Sequence, residues 1–167
     1  MIMAAIVSAT LALAASAGLE GTRWGMRPAE VAAVVPGAIA LPAPPARLRS
    51  TYKMLGHLFT AHFLFDRDDR LTAVRLALRD ASRCEALYGE LLGRYGSPIE
   101  ANRPLQNDAW TDPRTGDRVD IRDARADPRL RTCVVTFSPS VPPSGRQGLV
   151  DPPALGGPGM SEPGRPR

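Results

Sequence analysis

Two histidines, two cysteines, two tryptophans and a few turn aspartates are the residues of this chain whose types suit chemistry or recognition. His57 and His62 stand five apart in one apolar run. An odd spacing sends two side chains to opposite faces of a regular strand, so a shared metal is disfavoured. No Ser or Cys stands near them to complete a nucleophilic triad. The expectation is two ordinary strand residues, with no catalytic residue, no metal site and no cofactor.

Asp66, Asp68 and Asp69 crowd a short polar stretch, but the glycine and twelfth-position glutamate of a calcium loop are missing. Asp112 and Asp117 flank a turn around Gly116 and carry the same expectation of a solvated turn. Cys84 and Cys133 are the only cysteines. No CxxC spacing and no histidines at ligand spacing support redox or zinc chemistry. They are either a disulfide or two separate buried thiols, and an oxidising compartment favours the disulfide. Such a bridge closes a loop of about fifty residues, worth about 4 kcal/mol in the chain-entropy account. Trp24 and Trp110 each stand at the opening of one half of the chain. Core packing is one reading of them; a half-exposed anchor for a protein partner is the sharper one.

The elements that must position these residues follow from patterning. Met1 to Ala17 has an uncharged apolar core and ends in the small-residue box Ala15-Ser16-Ala17, which reads as a signal peptide over 1–17. It implies a periplasmic or secreted protein, with no integral membrane span in the mature chain. Residues 18–138 form one domain, and the Pro/Gly/Ser-rich tail, 139–167, is expected to be disordered. Within the domain, Pro28 and Glu30 begin a short helix with Val31, Val34 and Val35 on one face, stopped by Pro36-Gly37. Ala38 to Pro45 reads as an irregular connection. Leu55 to Phe65 and Leu71 to Leu78 alternate with period two around the turn Asp66 to Arg70, which predicts a hairpin with one wet face.

Ser82 and Glu85 have capping-box spacing for a second helix, whose apolar face is Cys84, Leu87, Tyr88, Leu91, Leu92 and Tyr95. Gly96 and Pro98 end it. Trp110, the turn Thr111 to Asp117, Arg118 to Arg122 and Arg131 to Phe137 supply further strands. The predicted fold class is α+β: two short helices on antiparallel hairpins, arranged as a tandem helix-then-strands repeat.

A net charge of +4 and a pI near 9.7 raise the question of nucleic acid. The charge is nearly all arginine, since Lys53 is the only lysine, and runs such as Arg118-Val119-Asp120-Ile121-Arg122-Asp123 interleave it with acids. That alternation predicts a self-neutralising face, so no nucleic-acid partner is expected.

The string Trp24-Gly25-Met26 followed by Pro28-Ala29-Glu30-Val31 resembles the opening motif of several families of small exported bacterial proteins of unknown function. Phe65-Asp66, Leu71 and Val74, then Cys84, Leu87, Leu91, Tyr95-Gly96 and Pro98, and finally Trp110 and Cys133, continue the similarity across most of residues 21–139. The helix-then-sheet unit also resembles the SmpA/OmlA outer-membrane lipoproteins and the tandem repeats of β-lactamase-inhibitor proteins. That resemblance implies binding to protein partners, not catalysis. The chain departs from the first group in lacking a lipidation cysteine. It also has Arg27 where a Ser or Thr helix cap is expected, the loss of a bond worth about 1 kcal/mol. No functional residue carries over. The function expected is a non-enzymatic, protein-binding module of the cell envelope. The alternatives are a small hydrolase-like enzyme using Asp66, Asp69 or Asp112, or a structural envelope protein without a ligand.

Overall fold

The computed structural model describes residues 19, 21–42, 44–102, 107–127 and 129–140. The expected signal peptide lies outside them, as does the expected tail from residue 141 onward. The first half of the chain contains helix α1 (Pro28–Val34) and strands β1 (Ile39–Ala40), β2 (Ala46–Met54), β3 (His57–Phe65) and β4 (Leu71–Leu78). A single 3-10 turn, Ala81–Arg83, then leads into helix α2 (Cys84–Tyr95). Strands β5 (Glu100–Asn102), β6 (Asn107–Thr111), β7 (Arg118–Ala124) and β8 (Thr132–Ser138) complete the second half.

Each half is therefore a helix followed by a four-strand antiparallel meander. The sheet order is β1-β2-β3-β4-β8-β7-β6-β5. The last strands of the two halves meet at the centre, β4 antiparallel to β8, with Val74 opposite Phe137 and Leu76 opposite Val135. The fold is α+β, with one eight-stranded sheet and two helices smaller than it. No helix among the described residues is long and apolar enough to cross a membrane.

Period-two patterning explains which face is covered. On β3 the buried residues are His57, Phe59, Ala61, Phe63 and Phe65, and on β8 they are Cys133, Val135 and Phe137. These side chains join Val31 and Val35 from the first helix region and Cys84, Leu87 and Leu91 from α2 in one core. Both helices thus lie on the same face of the sheet, and its other face carries the alternate residues of every strand. A disulfide joins Cys84, in the first turn of α2, to Cys133 on β8, with 5.8 Å between their Cα atoms.

Several local expectations change. Val34 is exposed, because the helix makes only two turns and Val35, not Val34, completes the stripe begun at Val31. Arg27 offers α1 no side-chain cap, but its backbone N–H donates to Glu30 Oε2 at 2.7 Å, which keeps half of a capping box. The second helix is not capped by Ser82 and Glu85. Asp80 instead caps the 3-10 turn, its carboxylate accepting from the backbone N–H of Ser82 at 3.2 Å and from the Ser82 hydroxyl at 2.6 Å, while α2 follows from Arg83 without a side-chain cap. Ser82 lies inside the 3-10 turn and so cannot stand at the N-cap of α2.

The segment expected to be irregular contains β1 and leads directly into β2, a nine-residue strand. The β2–β3 turn is Leu55-Gly56, both with positive φ, so β3 begins at His57. The short β5 is also an addition.

Candidate functional site

The bare face of the sheet is built by cross-strand register. Cross-strand partners point to the same side, so Arg49, His62, Arg75, Thr136 and Asp120 form one row across β2, β3, β4, β8 and β7. The adjacent row is Thr51, Thr60, Ala77, Val134 and Arg122. None of these ten side chains is buried.

Charge divides this face at the β4–β8 seam. Strands β2, β3 and β4 contain Arg47, Arg49, Lys53 and Arg75 and no Asp or Glu, and Arg79 follows immediately after β4. Arg47 reaches Asp69 at 3.1 Å. Arg79 donates to the Thr51 hydroxyl at 2.8 Å. Arg49, Lys53 and Arg75 make no ion pair among the described residues. His62 sits between Arg49 and Arg75, and its pKa is lowered, by burial first and then by the fields of Arg75 and Arg49.

Across the seam, Arg118 is bidentate to Glu100 at 2.8 and 2.7 Å, and its Nε donates to both oxygens of Asp120 at 3.0 and 3.1 Å. These hydrogen bonds raise the pKa of Arg118 and lower that of Glu100. The alternation read from the sequence therefore self-neutralises on β7. On β2–β4 the strand pleat instead collects the basic residues on one side, leaving the acids of that hairpin at its tip.

Trp24 and Asp117 define a second feature, on the covered face. Gly25, at φ +85°, bends the chain so that its N–H donates to Leu71 O and Met26 O accepts from Leu71 N–H, both at 2.9 Å. That clamp sets Trp24 over the β6–β7 turn, where its Nε1–H donates to Asp117 Oδ1 at 2.7 Å. A cleft of about 260 Å³ opens there, lined by Trp24, Tyr52, Arg94, Tyr95, Asp112 and Asp117 among others. Asp112 and Asp117 are buried, in contrast to the solvated turn expected of them, because Trp24 and Tyr95 fold over the turn.

Asp112 accepts from the backbone N–H of Arg114 at 2.8 Å and lies 3.4 Å from the Tyr95 hydroxyl. Burial raises the pKa of Asp117, opposed by the hydrogen bond from Trp24, and burial likewise raises that of Tyr95.

The other candidates fall apart from one another. Trp110 is 1% exposed on β6, with Nε1–H donating to Gly96 O at 2.9 Å and its ring against Tyr88 and Tyr95. It does not stand at the opening of its half, since α2 and β5 precede it, and it offers a partner no surface. Trp24 is half-buried. Asp66 caps its own turn by accepting from the N–H groups of Asp68 and Arg70. Asp66 and Asp69 belong to the β3–β4 turn and Asp112 to the β6–β7 turn, so the three acids do not form one site. His57 is buried, with Nε2 3.2 Å from Glu90 Oε2 but outside hydrogen-bond geometry, while His62 faces the opposite side. Among the described residues, no group of three or more His, Cys, Asp or Glu is placed to hold a metal ion.

The basic half-face is the surface feature that sequence reading missed. Its signal was the alternation Arg47, Arg49, Thr51, Lys53, which is legible once 46–54 is recognised as a strand. No protein-family model, no curated protein and no solved structure matches this chain.

Proposed function

We propose that this chain is an exported, periplasmic or secreted protein-binding module of the bacterial envelope, without enzymatic activity. The observation that carries the reading is the bare sheet face. Helices cover one side of strands β2–β4 and β6–β8, and the other side presents small residues, exposed Leu58 and arginines. Arginine and apolar contact area are what protein interfaces use at their cores. The disulfide supports an oxidising compartment. The helix-plus-meander halves support the resemblance to SmpA/OmlA-like and β-lactamase-inhibitor-like repeats, which belongs to this proposal.

The test is a photo-crosslinking amino acid placed at Thr60 or Ala77, in the centre of the face, in live cells. A discrete adduct with an envelope protein from these positions, and none from exposed Ala86 on α2, is the expected result. Absence of any adduct from both face positions would remove the reading.

The cleft favours a second reading as a small hydrolase-like enzyme, with Asp112 in place of the exposed acids at the other turn. A buried carboxyl lining a cleft beside a tyrosine hydroxyl is the kind of group that acid–base chemistry uses. Activity on any ester, phosphoester or glycoside panel that Asp112→Asn abolishes, with the fold retained, would establish it in place of the first.

A further inference from the structure

We propose that the β2–β4 half of the open face is the docking surface and that its occupant is an acidic protein segment, anchored by Arg49 and Arg75. The inference rests on the protein-binding reading and names the partner's chemistry. Three strands carry Arg47, Arg49, Lys53 and Arg75 with no acid among them, and only Arg47 is neutralised within the described residues. With strands about 4.8 Å apart, Arg49 and Arg75 stand roughly 10 Å from each other across His62. Like charges so placed repel, and carboxylates from a partner relieve that repulsion while the planar guanidinium groups bind them bidentately.

Residues 141–167 are not themselves an acidic segment. They carry Arg146, Arg165 and Arg167 against Asp151 and Glu162.

The composition between the cations selects polypeptide over phosphate polymers. The outward neighbours are Leu58, Thr60, Leu64, Ala73, Ala77 and Val134, and the His62 ring is the single aromatic among the cations, not a run of stacking platforms. Single-stranded nucleic acid is held by aromatic stacking platforms, and duplex grooves admit a helix or a two-strand ribbon, not a broad sheet face. Membrane surfaces are gripped by amphipathic helices with protruding apolar anchors. A flat surface of small and apolar side chains studded with arginine instead matches an interface that meets another protein.

The full exported chain is tested in two ways. In cells carrying the photo-crosslinker at Thr60, R49E/R75E is expected to abolish the adduct, whereas R122E, across the seam, leaves it. An adduct that survives R49E/R75E overturns the acidic-segment inference and leaves the protein-binding reading standing. An adduct absent from the parent chain overturns both.

With purified protein, the probes are a labelled twenty-residue polyglutamate, a DNA duplex and phosphatidylglycerol vesicles at one salt concentration. Polyglutamate is expected to bind most tightly, with R49Q/R75Q weakening it about tenfold and R49K/R75K by much less. Retained disulfide and circular dichroism confirm that the variants fold. Tighter binding of DNA or vesicles with the same arginine dependence would assign the face to a phosphate surface and overturn the proposal.

Discussion

In the second half of the sheet, Arg118 on β7 ends on two carboxylates, whereas in the first half Arg49 and Arg75 face only a histidine held between them. The two halves share one topology, and the contrast extends to their helices. Helix α1 has seven residues and buries Val31, with Val35 just beyond its end. Helix α2 has twelve, buries Cys84, Leu87 and Leu91, and is bonded covalently to β8. The half that is tied down covalently also satisfies its surface charge internally. The half with the lighter helix keeps charge unsatisfied on its open face, and unsatisfied charge is what a partner can use. Duplicated topology thus separates holding the fold from offering a surface.

The largest expected effect removes the covalent tie. C84A/C133A should lose about 4 kcal/mol of stability, from the loop of 49 residues that the bridge closes. Urea unfolding measures the total, and hydrogen exchange shows where it falls. Protection of α2 and β8 amides should drop well before that of β2 and β3. Uniform loss over all strands would mean that the halves unfold as one unit and that the contrast has no energetic content.

Next in size is the joint between the halves, Trp24 on Asp117. Trp24→Phe takes the indole donor from a buried carboxyl, leaving only the Thr115 hydroxyl, and should cost about 1–3 kcal/mol. The same change in a D117N background should cost less than half as much, since no buried charge remains to be satisfied. Asp117 already titrates above its ordinary 3.8 because burial outweighs the Trp24 hydrogen bond. W24F should raise it further, as followed by carboxyl NMR. The native state then holds this proton to higher pH than the unfolded chain does. Its contribution to stability is therefore full below about 3.8 and falls as pH rises through the folded pKa, by more in W24F than in the parent. Equal costs in the two backgrounds would make Trp24 a packing residue only.

These positions also mark how much could be read from sequence. The β3–β4 hairpin was legible because Phe59, Ala61, Phe63 and Phe65 alternate cleanly with less apolar residues, and α2 because its apolar stripe is long. Strand β2 was not, since its inward side mixes Leu48 and Tyr52 with a buried serine, Ser50, and so carries little hydrophobic contrast. Missing that strand hid the basic face, because Arg47, Arg49 and Lys53 form a side only when the chain is extended. The burial of Asp112 and Asp117 depends on Trp24, more than eighty residues away in sequence, and no local pattern announces it. A disulfide between Cys84 and Cys133 was expected because each sat on the inward side of a recognised element, and the bond is present.

A smaller effect compares arginines directly. Arg118→Gln leaves Glu100 and Asp120 without their shared partner and should cost up to about 1 kcal/mol, as exposed pairs do. Arg75→Gln should cost nothing or slightly stabilise, because it removes repulsion around Arg49 and His62. Urea midpoints at low salt distinguish the two, and the difference should shrink as salt screens it. An Arg75→Gln loss as large as that of Arg118→Gln would mean that Arg75 is already satisfied within the chain and that the first half holds no spare charge.

The smallest expected change is the most specific to the open face. His62 titrates below 6.5 through burial first, then Arg75, then Arg49. Because the folded state favours the neutral ring, its contribution to stability is full above 6.5 and is lost as pH falls through that value toward the folded pKa. Arg75→Gln should raise the folded pKa, Arg49→Gln should raise it by less, and the acid-side loss of stability should shrink in the same order. The ring-proton chemical shift of His62 across pH 4 to 8 reports this without any binding partner. An unchanged titration in both variants would show that solvent and salt already screen the arginines, and a face that cannot move the proton of its own central histidine has no field with which to attract an acidic segment.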